Sequence, residues 1–95
     1  MASVEREVKI PNKYGLHARP AMQFVELANQ YGSTIDVSNG SLSVDAKSIM
    51  SVMRLAGTMG TVLTITADGD DAQAAADALV HLVAGGFGEM EEDAG

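Results

Sequence analysis

The chain reads as an α+β protein: a two-layer, open-faced sandwich of the order β-α-β-β-α-β-α. Two observations predict this. Four short segments alternate apolar and polar residues with the period of a strand, and three others space their apolar residues with the period of a helix. The two kinds are interleaved along only 95 residues, enough for one domain with a single two-layer core and its helices on one face of a four-stranded sheet.

Each element follows in turn. Residues 4–10 place Val4, Val8 and Ile10 on one face with Arg6, a first strand. Residues 11–15 carry turn chemistry. Over 18–31, Ala18, Ala21, Phe24, Val25 and Ala28 fall on one helical face, and Gly32 is placed to end that helix. Residues 34–38 alternate again with Ile35 and Val37 inward; Asn39-Gly40 signals a hairpin, and 41–45 returns with Leu42 and Val44 inward. "SIMSVMRL" at 48–55 reads as a short helix stopped by Gly57 and Gly60. "TVLTITA" at 61–67 is a β-branched strand. Asp68 to Asp71 make a turn that brings acids to a helix start, where they suit the dipole. Ala72, Ala76, Leu79, Val80 and Val83 form the apolar face of a last helix over 71–84, halted at Gly85-Gly86. A single domain over 1–89 is expected, followed by an acidic tail at 90–95 that is expected to be mobile.

Composition narrows the function. Thirteen acids against six Lys and Arg give a formal charge of −7, which argues against a nucleic-acid partner. There is no cysteine, so disulfides and thiolate metal sites do not arise. Glu5, Arg6, Glu7 and Lys9 make the first ten residues too charged for a secretion signal. No apolar run nears the ~20 residues of a membrane span. A cytoplasmic protein with no direct membrane insertion is expected. The cations are unevenly placed: Lys13 and Arg19 flank His17, while Lys47 and Arg54 flank the short apolar helix. That spacing suits a local positive patch on a negative body, fit for a small anion.

"YGLHARP" at 14–20 is the stretch most in need of explanation. His17 stands at the start of the first helix, and Pro20 is tolerated in its first turn. The amides of Ala18, Arg19 and Ala21 are expected to point out of the helix end, a good anion site. A neutral imidazole at such an end is a nucleophile toward a phosphoryl group. The same residues also fit a histidine that merely begins the helix, with Arg19 in a surface ion pair. His81, on the polar face of the last helix, reads as solvent-exposed. No catalytic carboxylate pair, nucleophile–base triad or glycine-rich nucleotide loop is present.

"GLHARPA", followed by a helix and then by "AKSIMSVM", resembles the HPr family, the histidine phosphocarriers of the phosphoenolpyruvate-dependent sugar phosphotransferase system. The resemblance spans 4–89 and includes "GTVLTITADG" and "GFGE". It implies four antiparallel strands in the order 1-4-2-3 under three helices. It implies that His17 takes a phosphoryl group on Nδ1 from phospho-Enzyme I, with Arg19 and the backbone amides of Ala18 and Arg19 holding its oxygens. The group would then pass to Enzyme II A-type components. The protein would be a monomeric carrier with no turnover of its own and no cofactor or metal.

The resemblance also marks Ser48 as a regulatory phosphorylation site for a serine kinase/phosphorylase, although serine is equally a preferred N-cap. Met22, Phe24, Ile49, Met50 and Met53 resemble the family's docking patch, and methionine suits a surface that fits several partners. Ser51 departs from the Gram-positive pattern, which usually has glycine there. An alternative reading is an HPr-like regulatory interaction protein acting through Ser48 and protein docking, which would need neither His17 nor Arg19. A third reading, a small-molecule-binding domain, would need a pocket that this sequence does not advertise.

Overall fold

The computed structural model describes residues 3–55 and 57–88. Its elements are β1 (Ser3–Lys9), α1 (Ala18–Ala28), β2 (Thr34–Ser38), β3 (Ser43–Asp45), α2 (Ile49–Met53), β4 (Val62–Asp68) and α3 (Ala72–Ala84), followed by a 3-10 turn, Gly86–Gly88. The predicted tail lies outside the described residues.

Strand alternation sets the architecture. Ile35, Val37, Leu63, Ile65 and Ala67 are buried on one face of the sheet, while their sequence neighbours point outward. The strands run in the order β1-β4-β2-β3, and every pairing is antiparallel. This is the order the family resemblance implies. Inward residues meet in register, Val37 opposite both Ile65 and Val44. On the open face Glu5, Thr66, Asp36 and Asp45 form one row across all four strands. Helix α3 packs on β1 and β4, and α1 packs beside α2 and α3. Ala21, Phe24 and Ala28 of α1 and Ala72, Ala76, Leu79 and Val83 of α3 are buried there, as their spacing predicts.

Several ends differ from the sequence reading. Helix α1 stops at Ala28, three residues short of the predicted end, and its cap is Asn29 rather than Gly32. The Asn29 side-chain amide donates to Val25 O at 2.9 Å and to Lys47 O at 3.1 Å, so a side chain satisfies the helix end and ties it to the segment before α2. Ala18 is exposed, because the first turn projects beyond the core. Strand β3 starts at Ser43 rather than 41, since the amides of Ser41 and Leu42 donate to Asn39 Oδ1 and close a four-residue loop at 39–42. Helix α2 is five residues long, shorter than the 48–55 segment.

Asp71 stands at the start of α3, as its place in the sequence predicts, and its side chain reaches beyond that helix. It is the N-cap of α3, yet its side chain makes no cap hydrogen bond. Its carboxylate instead receives the Gly32 amide at 2.9 Å, the Ser33 amide at 3.0 Å and the Ser33 hydroxyl, joining the approach to β2 to the start of α3. The Ser33 hydroxyl first, and then the Gly32 amide, hold this carboxyl below its ordinary value of 3.8. A lowered carboxyl stabilises the fold fully above its ordinary value and loses that contribution as pH falls through the lowered one. Asp71→Ala is therefore expected to be less stable than the parent at pH 7 in urea denaturation. The gap should close as the pH falls below the ordinary carboxylate range; a gap that is constant from pH 7 to pH 2 would contradict this role.

Candidate functional site

The site is built on the loop between β1 and α1. Asn12 is fully buried; its side-chain amide donates to Gly15 O at 2.9 Å, while Gly15 N donates to Asn12 O at 3.2 Å, closing a tight loop. Leu16 N then donates to Gly57 O at 2.9 Å, and the Leu16 side chain is buried. Gly15 has φ +63°, and a Cβ on it would lie 2.3 Å from Gly57 O. The backbone before α1 thus rests directly on the backbone after α2. This places His17, the next residue, at the rim.

His17 is the N-cap of α1, with extended backbone (φ −76°, ψ −173°), and its side chain makes no cap hydrogen bond. The imidazole is exposed, as are Ala18 and Arg19. The helical ladder begins with Ala21 N donating to His17 O at 3.0 Å. The Ala21 amide, expected to point outward, is therefore committed to the helix. Pro20 has no amide hydrogen. The amides of Ala18 and Arg19 are those that stand ahead of the first helical hydrogen bond, at the positive end of the helix. A histidine, an arginine and two backbone amides accordingly share one exposed helix end.

Two further residues belong to this end and were not singled out from the sequence. One is Asn12, whose role emerges only when its loop closes. The other is Tyr14, whose ring sits edge-to-face with that of His17, 6.0 Å between centroids. The adjacency of Tyr14 and His17 in the chain was the available signal. Of the second pair of cations, Lys47 does not join the patch. Lys47 Nζ donates to Tyr31 O at 2.7 Å, beyond the C-terminal end of α1. Helix α1 has 11 residues and is about 16 Å long, so Lys47 is far from His17 along it.

Ser48 is the N-cap of α2, and its Oγ accepts from Ser51 N at 3.3 Å. The five docking candidates separate. Met22 (52% exposed), Met50 (77%) and Met53 (45%) face solvent, and Ile49 is half-buried. Phe24, 1% exposed, presents no surface: it sits on the core face of α1, where a ring fills the space above the sheet. Met22, Val25, Glu26 and Ile49 line an apolar groove of about 280 Å³ between the two helices. His81 is exposed on α3. Among the described residues no three His, Cys, Asp or Glu side chains gather as a metal site, and no helix is long and apolar enough to cross a membrane.

Fold and site together describe a small acidic sandwich that exposes a histidine at the positive end of a helix. A family model described as "PTS HPr component phosphorylation site" matches residues 4–85. The phosphocarrier protein HPr of Cupriavidus necator is 46% identical over 93% of this chain and 99% of its own. The HPr-like protein Crh of Halalkalibacterium halodurans is 41% identical over 84% of this chain and 95% of its own. Among solved structures, HPr-C-His from Thermoanaerobacter tengcongensis superposes with a TM-score of 0.86 at 45% identity, covering 90% of this chain and 97% of that one. An HPr dimer from the same organism gives 0.73 at 46% identity, with 86% and 94% covered. The chain belongs to the HPr family of the phosphotransferase system. Proteins of this family carry phosphoryl groups rather than catalyse a reaction.

The meeting of Gly15 with Gly57 is the point at which this site is most easily broken. Gly15→Ala puts an L-residue in the left-handed region, which costs about 1–2 kcal/mol, and drives its Cβ against Gly57 O. A total loss of about 2 kcal/mol or more is expected in urea denaturation, with the Leu16 amide losing protection from hydrogen exchange. A loss under ~0.5 kcal/mol, the ordinary range for a surface change, would show that this contact does not hold the loop.

Proposed function

We propose that His17 is the phosphoryl acceptor and donor of this carrier. The Nδ1 lone pair forms a bond to phosphorus as the bond from phosphorus to phospho-Enzyme I breaks. The ring hydrogen stays on Nε2. The group leaves by the reverse step to an Enzyme II A-type component. The observation that carries this reading is the placement of an exposed imidazole at the N-cap of α1, not used as a cap, beside Arg19 and the leading amides of Ala18 and Arg19. Arg19 and those amides neutralise the phosphoryl oxygens during transfer. One arginine and one helix end stabilise the transferring group without trapping the product, as a carrier requires. The protein works in the cytoplasm and as a monomer, since one exposed face must meet successive partners; Met22, Ile49, Met50 and Met53 supply the adaptable part of that face.

Ser48 supports a second, regulatory layer. It starts the helix that carries Met50 and Met53, and a phosphate at a helix N-terminus is compatible with the fold. Its added charge would oppose docking of Enzyme I. Retention of His17 and Arg19 favours the carrier over a purely regulatory protein.

Incubation with phosphoenolpyruvate and a competent Enzyme I should add one acid-labile, base-stable phosphate, and His17→Ala should abolish it. Failure of the parent chain to label with any competent Enzyme I would shift the reading to a regulator. Ser48→Asp exchanges one good N-cap for another, so its melting temperature should stay within a few degrees of the parent, about the width of a 0.5 kcal/mol change. Its binding to Enzyme I should weaken several-fold in titration calorimetry. A large fall in melting temperature, or unchanged binding, would remove the regulatory role.

A further inference from the structure

Tyr14 is 62% exposed, and core packing gives no reason for an aromatic ring at that position. Its environment does. Its ring meets that of His17 at an interplanar angle of 83°, with 6.0 Å between centroids, an edge-to-face pair. Lys13 Nζ lies 5.4 Å from the Tyr14 ring centroid, within cation–π range. The backbone enforces this meeting. The Asn12–Gly15 hydrogen bonds close the loop that holds Tyr14, Gly15 turns the chain at φ +63°, and Leu16 is fastened to Gly57. Tyr14 is thereby returned to the side of the residue three positions after it.

We infer that Tyr14 is a positioning residue: its ring holds the His17 imidazole in the orientation that presents a ring nitrogen to the helix end and to incoming phosphorus. The inference rests on the reading of His17 as the acceptor. An edge-to-face pair loses its quadrupole match when either ring turns about its Cβ–Cγ bond. Transfer in turn needs the nitrogen lone pair in line with phosphorus. Holding the ring raises the fraction of encounters that start aligned. An aromatic pair of this kind biases the rotor by about two- to tenfold, and the transfer rate should carry that same factor. Lys13, over the Tyr14 ring, steadies the ring that does the holding.

Two variants of the full chain separate this role from others. Tyr14→Leu keeps an apolar bulk and removes the ring; Tyr14→Phe keeps the ring and removes the hydroxyl. The position is exposed, so neither threatens the core. With Enzyme I and phosphoenolpyruvate, Tyr14→Leu should lower kcat for this protein as substrate by about two- to tenfold, with KM unchanged. Tyr14→Phe should restore it. In proton NMR of the unphosphorylated chain, the His17 ring resonances should lose their ring-current shift in Tyr14→Leu and keep it in Tyr14→Phe. A raised KM with unmoved His17 resonances would make Tyr14 a partner contact and overturn the proposal, as would wild-type kinetics in Tyr14→Leu. A parent chain that takes no phosphate would instead refute the reading of His17. The resonance comparison would still decide whether the Tyr14 ring lies against that of His17.

Discussion

Two loops must touch backbone to backbone in this protein. One leads into α1 and the other leaves α2, and they meet where Leu16 N donates to Gly57 O. Gly15 makes the approach possible, since any side chain there would strike Gly57 O. The buried Asn12 closes the first loop against Gly15, and Leu16 plugs into the core beneath. An exposed imidazole is otherwise a mobile group on a surface. Here it begins a helix whose entry is fixed on the side of the preceding loop, and this gives the helix end a defined direction.

The two helices nearest the site are joined at their other ends as well. Asn29 leaves α1 and bonds Lys47 O; Lys47 reaches back to Tyr31 O. The residue before Ser48 is thus committed to the end of α1. The exposed methionines of α1 and α2 therefore stand on a surface whose backbone is held at both ends, with adaptability confined to the side chains. Charge is divided between surfaces too. Acids of β1, β2 and β3 occupy the open face of the sheet, including the row of Glu5, Asp36 and Asp45, whereas Lys13 and Arg19 flank the histidine. A strongly acidic chain can in this way still carry a local positive end.

Much of this was legible in the residues. The alternation in "TVLTITA" and the spacing of Ala21, Phe24 and Ala28 placed the strand and the helix, because a strand and a helix each repeat with a fixed local period. The histidine, arginine and proline of "LHARP" marked the helix end. What failed did so for one reason. Asn29 in place of Gly32, Asn39 shortening β3 and Lys47 turning to Tyr31 are all side chains whose partners lie elsewhere in the fold or compete with regular backbone pairing. Phe24 shows the same limit on a single helix: its periodicity is clear, yet packing assigns it to the core.

The sequence by itself determined the elements, their order and which side chains gather at the start of α1, since these depend on local period, turn residues and chain adjacency. Only the tertiary structure decided which amides stand ahead of the helical ladder, which methionines remain exposed, and that Tyr14 lies against His17. Those outcomes depend on contacts closed by long-range geometry, above all the meeting of Leu16 with Gly57, which no local pattern encodes.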